Sequence, residues 1–258
     1  MNFENELEIA IKTARKAMDF IMDVYNGGFD VQIKSDDSPV TEADIGADKL
    51  IRENLHKSFP AYAFLTEESS DDLVRLNNDY VWIVDPVDGT SDFVDKDGEF
   101  TTNIALAYKH NIVVGVVGVP CTGDIYYASK GNGAFVLRNG VSTKIHVNDK
   151  TDKLVALVSH QHNTQKILDL LKGDKRVFAI KPVGSSLKGC LIAEGKAELT
   201  LKYDDNTKEW DTAAFQGVVE EAGGFVLTHE GEPIVYNRED VYNRGGFVCV
   251  NKKENIIE

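Results

Sequence analysis

The spacing of apolar residues predicts helices near the start of the chain. One helical face collects side chains three or four positions apart, namely Leu7, Ile11, Ala14, Met18, Ile21 and Tyr25. The pattern stops at Gly27-Gly28, a pair typical of a helix end. A second helix is expected after Thr41, because its hydroxyl can accept a bond from a free N–H group of the first helical turn.

The middle third alternates short apolar runs with polar turns that contain Asn or Gly. Such runs, rich in β-branched and aromatic residues, predict strands. They lie at Tyr62 to Leu65, Val81 to Val84, Asn103 to Ala107, Ile112 to Val119, Ile125 to Ala128 and Ala134 to Leu137. We expect a mostly antiparallel sheet here.

The last third alternates strand-like and helix-like patterns. The predicted elements are strands near Leu154 to Val158, Ala197 to Leu201, Phe225 to Leu227 and Phe247 to Val250, and helices near Thr164 to Leu171, Ser186 to Glu194 and Thr212 to Ala222. This alternation predicts an α/β lobe, joined to the first by the polar stretch Lys144 to Asp152. The chain is therefore expected to be one domain over 1–258, of mixed α+β and α/β class, with lobes of about 1–148 and 149–258.

Composition and charge narrow the possible partners. The 258 residues carry a net charge of −14, so no excess of basic residues is available to bind a nucleic-acid polymer. The longest apolar run, Ile112 to Val119, is too short for a transmembrane segment. The three cysteines, Cys121, Cys190 and Cys249, are scattered and odd in number, which argues against a disulfide framework or a zinc site. A cytoplasmic location is the expectation.

Two aspartates follow the apolar run that ends at Val84, in the sequence D-P-V-D-G-T. Pro86 lacks a backbone donor and is expected to stop the strand, after which the chain turns. Asp85 and Asp88 can converge across that turn, and such carboxylates repel each other unless a proton or a cation lies between them. A hard cation such as Mg²⁺ suits these oxygen ligands.

The two residues after Asp88 suit an anion. Gly89 permits a close backbone approach, and Thr90 can begin a short helix whose free N–H groups face a phosphate. The alternative is an ordinary surface turn, since Asp, Pro and Gly are common turn residues.

Three companion segments also carry acids at the ends of predicted elements. They are Thr66-Glu67-Glu68-Ser69 after a strand, Trp210-Asp211-Thr212 where Asp211 is expected to begin a helix, and Thr41-Glu42-Ala43-Asp44, in which Thr41 and Asp44 suit a capping box. Taken singly, each has a structural explanation, as a solvated acid pair, a capping aspartate or a capping box.

Together these segments resemble the inositol monophosphatase-like family of Mg²⁺-dependent, lithium-sensitive phosphatases. The resemblance rests on W-I-V-D-P-V-D-G-T-x-D-F and a later W-D-x-A-A, in this order and spacing, and it extends from about Ser38 to Gly224. It implies a layered α-β-α-β-α architecture with the active site between the lobes. Two further runs, D-G-E-F-T-T-N from Asp97 and G-S-S-L-K from Gly184, look similar to the 3′(2′),5′-bisphosphate nucleotidases of that family.

The resemblance implies ligands for two Mg²⁺ ions, with a third held weakly. Glu67, Asp85 and the backbone carbonyl of Val87 would bind one ion; Asp85, Asp88 and Asp211 would bind a second. The implied catalytic residues, which activate the attacking water, are Asp44, Glu67 and Thr90. The implied substrate-binding residues are Gly89, Thr90, His162, Gly184, Ser185, Ser186, Lys188, Lys202 and Asp211.

Two departures from the nucleotidase pattern bear on the choice of substrate. Nucleotidases carry an arginine shortly before W-D, whereas this chain has Lys202 and then acidic residues; a lysine supplies a point charge but not a bidentate fork. The S-x-S-H segment becomes Ser159-His160-Gln161-His162, in which a zinc-binding histidine pair is a weaker alternative. The expected partner is a small phosphorylated substrate, either adenosine bisphosphate or an inositol phosphate, and the protein would be a monomer or a homodimer.

Other classes of protein fit less well. A calcium-binding loop counted from Asp85 has Lys96 where a twelfth-position glutamate is needed. A nucleotide-dependent kinase is disfavoured because neither G-x-x-x-x-G-K-[ST] nor G-x-G-x-x-G occurs. An inositol monophosphatase or sugar bisphosphatase stays open as an alternative, and so does a phosphate-binding protein without catalysis.

Overall fold

The computed structural model describes residues 2–34, 39–160 and 164–257. In this part of the chain, no helix combines the length and apolar character needed to cross a membrane. The helices are α1 (Glu4–Gly27), α2 (Glu42–Ser58), α3 (Thr90–Asp95), α4 (Gln165–Gly173), α5 (Leu187–Ala193) and α6 (Glu209–Glu221). The strands are β1 (Gln32–Ile33), β2 (Pro39–Val40), β3 (Ala63–Thr66), β4 (Tyr80–Asp88), β5 (Thr101–Tyr108), β6 (Asn111–Val119), β7 (Asp124–Ser129), β8 (Ala134–Arg138), β9 (Val141–Ile145), β10 (Leu154–Val158), β11 (Val177–Pro182), β12 (Leu199–Lys202), β13 (Phe225–Leu227) and β14 (Phe247–Val250).

A seven-stranded sheet has the order β3-β4-β5-β6-β7-β8-β9. Every neighbouring pair is antiparallel except β3 with β4, which confirms the sheet expected for the middle third. The prediction that a polar connection begins at Lys144 is wrong, because β9 continues to Ile145. The polar side chains of β9 face solvent, so this strand has no apolar pattern that would predict it. It is defined by its pairing with β8.

A second sheet of five strands has the order β11-β10-β12-β14-β13. β10 runs parallel to both β11 and β12, whereas β14 runs antiparallel to β12 and β13. The predicted alternation of strands and helices is confirmed here, but β11 was missed. That strand lies at the edge of the sheet, and its Phe178 is 78% exposed, so the strand lacks the buried pattern that predicts an interior strand.

The two sheets and the helices form five layers. On β4, Trp82 and Val84 pack with α1 and α2, while Val81 and Ile83 face the core built around α6. The helices α5 and α6 pack in the same core as residues of both sheets, and α4 packs in a third core with the second sheet. The predicted α-β-α-β-α architecture is therefore confirmed.

The contact between β6 and α6 depends on two glycines. A Cβ added at Gly115 would lie 2.3 Å from the carbonyl oxygen of Ala214 and 3.2 Å from the Cα of Gly217. The backbone of the helix therefore rests directly on the strand, and this close approach fixes the position of α6 and of the residues at its start.

We expect Gly115→Ala to lower the free energy of unfolding by about 1–3 kcal/mol, because the added methyl group overfills this contact. Urea unfolding followed by circular dichroism measures the change. Gly173→Ala is the matched control, since nothing lies within 4 Å of the Cβ at that position. Equal stability of the two variants would contradict the close-contact explanation.

Candidate active site

Most of the predicted site residues line one cavity of about 640 Å³. It lies where the end of β4 and the starts of α3, α5 and α6 meet. The predicted residues on its wall are Glu67, Asp85, Val87, Asp88, Gly89, Thr90, Gly184, Ser185, Lys188, Lys202 and Asp211. Asp44 and Ser186 are buried and are hydrogen-bonded to residues of this wall. A separate depression of about 740 Å³ is lined by residues of α1 and α2, away from these carboxylates.

The two aspartates of β4 reach the same cavity because the strand is bulged. Asp85 is opposite Asn103, and Asp88 is opposite Thr101, so one extra residue is inserted between the two aspartates. In a regular strand, side chains three positions apart point to opposite faces; the extra residue cancels that alternation. The prediction that Pro86 ends the strand is wrong, because β4 continues through the bulge to Asp88.

Asp88 connects β4 to the start of α5. The Ser186 backbone N–H and hydroxyl donate to its Oδ2 at 2.7 and 2.6 Å, and the Asn103 amide donates to the same atom at 3.1 Å. The Thr101 hydroxyl is a fourth donor to this oxygen, at 3.3 Å, and together these bonds hold the carboxylate in a fixed orientation. Ser186, predicted to bind substrate, therefore also positions a predicted metal ligand.

Asp44 and Thr90 form the pair expected from the sequence. The Thr90 hydroxyl donates to Asp44 Oδ1 at 2.9 Å, while Asp44 Oδ2 accepts the Thr41 backbone N–H at 2.7 Å in a capping box of α2. A hydroxyl has a single proton, and giving it to Asp44 leaves the Thr90 oxygen as an acceptor. Thr90 is thus placed to accept a hydrogen bond from a water molecule in the cavity.

Asp211 lies in the first turn of α6. That helix begins at Glu209, so the prediction that Asp211 is its first residue is wrong by two positions. Asp211 Oδ2 accepts the Lys208 backbone N–H at 2.7 Å, which ties the carboxylate to the helix start. The Asp211 side chain therefore both caps the start of α6 and lines the cavity.

Burial and the neighbouring carboxylates raise the pKa of two aspartates in this cavity. The pKa of Asp85 is well above its usual value, because of burial first and then the charges of Glu67 and Asp88. The pKa of Asp211 rises to about 8, again through burial and then through Asp88 and Glu67. Four carboxylates and Val87 line this cavity, and a metal site built from them would offer oxygen ligands throughout. A hard divalent cation fits that chemistry and offsets the repulsion.

Lys34 and Glu99 contact the site and were assigned no role from the sequence. The Lys34 amine contacts Glu67 Oε1 at 2.9 Å and Glu68 Oε1 at 2.5 Å. Glu99 accepts the Gly184 N–H at 2.6 Å and contacts the His160 ring at 2.7 Å, which anchors the loop before α5. Glu99 lies in the nucleotidase-like run D-G-E-F-T-T-N, and that run is the sequence feature that could predict its place at the site. Nothing in the local sequence pattern predicts a place there for Lys34.

The predicted substrate lysines are held by neighbouring groups. The buried Lys188 amine donates to the carbonyls of Val183 and Ser185 at 3.2 and 2.8 Å, and burial lowers its pKa to about 8. The Lys202 amine lies 3.7 Å from Asp204 Oδ2. Predicted residue His162 lies outside the described residues, so only His160 of the alternative zinc pair can be placed, and its ring contacts Glu99.

A second acidic cluster lies at the rim. Ligand atoms of Asp92, Asp97 and His160 come within 4.8 Å of one another. The pKa of Asp92 rises to about 7 through burial and a hydrogen bond with Asp97. A proton on Asp92 would offset the repulsion between the two neighbouring carboxyl groups.

A layered fold with carboxylates gathered at a bulged strand end defines a class of metal-dependent phosphatases. The chain belongs to the inositol monophosphatase family, whose model matches residues 2–258. It is 38% identical over 246 residues to the 3′(2′),5′-bisphosphate nucleotidase CysQ of Salmonella typhimurium, covering 93% of this chain and 98% of the relative. The predicted family and the prediction of a phosphatase are confirmed.

Two other relatives show that similar chains differ in the substrates for which they are named. The crystal structure of CysQ from Bacteroides thetaiotaomicron matches with a TM-score of 0.83 at 34% identity, covering 97% of this chain and 99% of that one. The histidinol-phosphatase of Chlorobaculum parvum is 30% identical over 253 residues, covering 95% of this chain and 92% of the relative. Similar chains therefore carry names for different phosphate esters.

The raised pKa of Asp211 predicts how metal-free protein responds to pH. An unfolded aspartate has a pKa near 3.9, so between about pH 4 and pH 8 the folded state holds a proton that the unfolded state has lost. Stability therefore falls as pH rises through this window. We expect Asp211→Asn to raise the Tm of chelator-treated protein at pH 8 by roughly 2–4 °C, and to change it little near pH 4.

Differential scanning fluorimetry across this pH range measures the effect. Added Mg²⁺ should raise the Tm of the unaltered protein at pH 8 and should raise that of the variant less. Asp240→Asn is the control, because Asp240 is exposed and its pKa is lowered by Arg244. A variant less stable than the parent at pH 8 without metal would contradict the electrostatic account.

Proposed function

We propose that the protein is a Mg²⁺-dependent phosphomonoesterase that removes the 3′-phosphate of 3′-phosphoadenosine 5′-phosphate to give AMP. The chemistry is supported by one observation above all: Thr90, which is hydrogen-bonded to the buried Asp44, lies in the same cavity wall as the carboxylates of Glu67, Asp85 and Asp211. The substrate is supported by the similarity to the CysQ nucleotidases.

Each group has a proposed role. Glu67, Asp85 and the Val87 carbonyl would hold one Mg²⁺, and Asp85, Asp88 and Asp211 a second, with Asp85 shared. Bound there, the ions would lower the pKa of the attacking water and stabilise the leaving oxygen.

The chain's own groups orient the reactants. Thr90, whose hydroxyl donates a hydrogen bond to Asp44, would accept a hydrogen bond from the water and direct it toward the phosphorus, with Glu67 assisting. The N–H groups of Gly89 and Thr90 would hold phosphate oxygens. On this proposal the site lies in a single catalytic domain, between the lobes near 1–148 and 149–258.

The alternative is another phosphate monoester of the same family, either an inositol phosphate or a sugar bisphosphate. One observation favours it: Asp204 lines the cavity close to Lys202, and a carboxylate there suits substrate hydroxyl groups better than a phosphate. We also propose lithium inhibition, as in the family, and action in the cytoplasm. The location is supported by the three cysteines, all of which are unpaired.

The first test compares phosphate release from 3′-phosphoadenosine 5′-phosphate and from inositol 1-phosphate, with and without Mg²⁺. We expect the nucleotide to be preferred by kcat/KM and release to require the metal. Asp85→Asn serves as the blank, because the loss of a shared ligand should abolish nearly all turnover while the fold survives. Preference for the inositol ester would replace the nucleotide in this proposal, and turnover of neither ester would sink it.

A second test isolates the water-positioning pair. Thr90→Val keeps the shape of the side chain and removes the hydroxyl, so we expect turnover to fall about 10²- to 10⁴-fold with Mg²⁺ affinity retained. Thr90→Ser, which keeps the hydroxyl, is the matched control and should recover most of the rate. Near-normal turnover in the valine variant would exclude this role for Thr90.

A further inference from the structure

One buried carboxylate at the start of α6 takes no part in the catalysis proposed above. Glu209 is the first residue of that helix, and 0% of its surface is exposed. Its neighbours Lys208, Trp210 and Asp211 line the cavity. A carboxylate is costly to bury unless it is paired and hydrogen-bonded, so the contacts of Glu209 indicate what this side chain does.

The Glu209 carboxylate binds a segment that is distant along the chain, residues 237–243, which we call the α6 clamp. Its Oε2 accepts the Asn237 backbone N–H at 2.6 Å, and its Oε1 accepts the Arg238 backbone N–H and Nε at 2.8 and 3.2 Å. Three donors thus meet one carboxylate, a group that only accepts. An amide in its place would bring an NH₂ group against one of these N–H donors.

The α6 clamp also binds the backbone at the start of the helix. The Glu209 backbone N–H donates to the Val241 carbonyl at 2.9 Å. Asn243 donates its backbone N–H to the Thr207 carbonyl at 2.8 Å and its side-chain amide to the Lys208 carbonyl at 2.9 Å. Three consecutive residues are therefore bonded to the clamp. A negative charge in a first helical turn suits the helix dipole, but the dipole alone does not require these bonds.

The clamp is fixed from its other side by a buried arginine. The Arg75 guanidinium donates to Asn237 Oδ1 at 2.8 Å and to the Arg238 carbonyl at 2.9 Å, and it pairs with Asp71 at 2.7 Å. Glu209 and Arg75 thus hold the same two clamp residues from opposite ends. The start of α6 is bonded to a support that is itself held in place.

These bonds fix the place of the Asp211 carboxylate. Asp211 Oδ2 accepts the Lys208 backbone N–H at 2.7 Å, and the carbonyl of the same lysine accepts the Asn243 amide. The residue that orients Asp211 is therefore held by the clamp. Mg²⁺ requires oxygen ligands at about 2.0–2.1 Å in near-octahedral geometry, so a small displacement of the helix start would weaken a metal bound there.

We propose that Glu209 is a positioning residue, which fastens the start of α6 to the clamp and so places the Asp211 carboxylate for the second Mg²⁺. The proposal rests on the proposed function, because it takes Asp211 as a metal ligand. Loss of the Glu209 carboxylate then weakens one metal site. The other site, with Glu67, Asp85 and the Val87 carbonyl as its proposed ligands, keeps its affinity.

The test measures Mn²⁺ binding to chelator-treated protein, since Mn²⁺ prefers the same oxygen ligands as Mg²⁺. Electron paramagnetic resonance of the free ion gives the number of sites and the Kd of each. We expect the unaltered protein to bind at least two ions. In Glu209→Gln, which keeps the shape of the side chain, we expect the Kd of one site to rise about ten- to hundredfold, as when a group that orients a metal ligand is lost. The Kd of the other site should stay within about twofold.

Asn243→Ala is the second variant. It removes the bond to the Lys208 carbonyl from the clamp side, leaves the carboxylates unchanged and should weaken the same site. Glu198→Gln is the matched control, because Glu198 is also fully buried and accepts a backbone N–H, that of Val155, outside the clamp. We expect the control to lower the Tm and to leave both Kd values unchanged.

A lower Tm with both Kd values unchanged, in Glu209→Gln and in Asn243→Ala, would overturn the positioning role and leave a structural one. An equal loss of affinity at both sites would also overturn it, because the effect would not be confined to Asp211. If Glu209→Gln does not fold, Asn243→Ala decides. Unaltered protein that binds no Mn²⁺ would overturn the proposed function together with this inference, so the two failures are distinguishable.

Discussion

Mutual repulsion among buried carboxylates is the constraint on which the candidate site depends. Asp85, Asp88, Asp211 and Glu67 come from three different segments of the chain, and burial, followed by their mutual charges, raises the pKa of Asp85 and Asp211. A fold gains nothing in stability from gathering such groups. The repulsion is offset only when a cation or protons occupy the space between the carboxylates. The repulsion therefore lowers the stability of the fold at the place where the proposed chemistry needs these carboxylates. Such a local loss of stability is a common property of functional sites.

The rest of the molecule holds these groups in place. The bulge in β4 turns Asp85 and Asp88 toward one cavity, and the bonds from Ser186 tie Asp88 to α5. The contact of α6 with Gly115 places the helix that carries Asp211. A backbone contact and hydrogen bonds thus position groups that would otherwise separate. Preorganisation of this kind is what electrostatic catalysis requires.

Much of this fold follows from its sequence, for identifiable reasons. Trp82 and Ile83 lie in a strand buried on both faces, and the apolar run makes that strand evident. The apolar pattern does not predict strand β11, because Phe178 is exposed, and it predicts a strand end instead of a bulge at Pro86, because proline breaks most ladders. The contacts of Lys34 depend on tertiary structure, and local patterns do not encode them.

The residues proposed for catalysis and the residues that face the substrate lie in different parts of the fold. The carboxylates and the Thr90–Asp44 pair lie on β4, directly after β3 and at the starts of three helices, whereas Asp204 lies in the connecting segment of residues 203–208. Segments between elements tolerate substitution because few core contacts depend on them. Relatives named for a nucleotide and for histidinol phosphate can therefore share one scaffold. The choice of substrate is therefore expected to depend on these connecting residues, since the proposed metal ligands would serve any phosphate ester that the cavity admits.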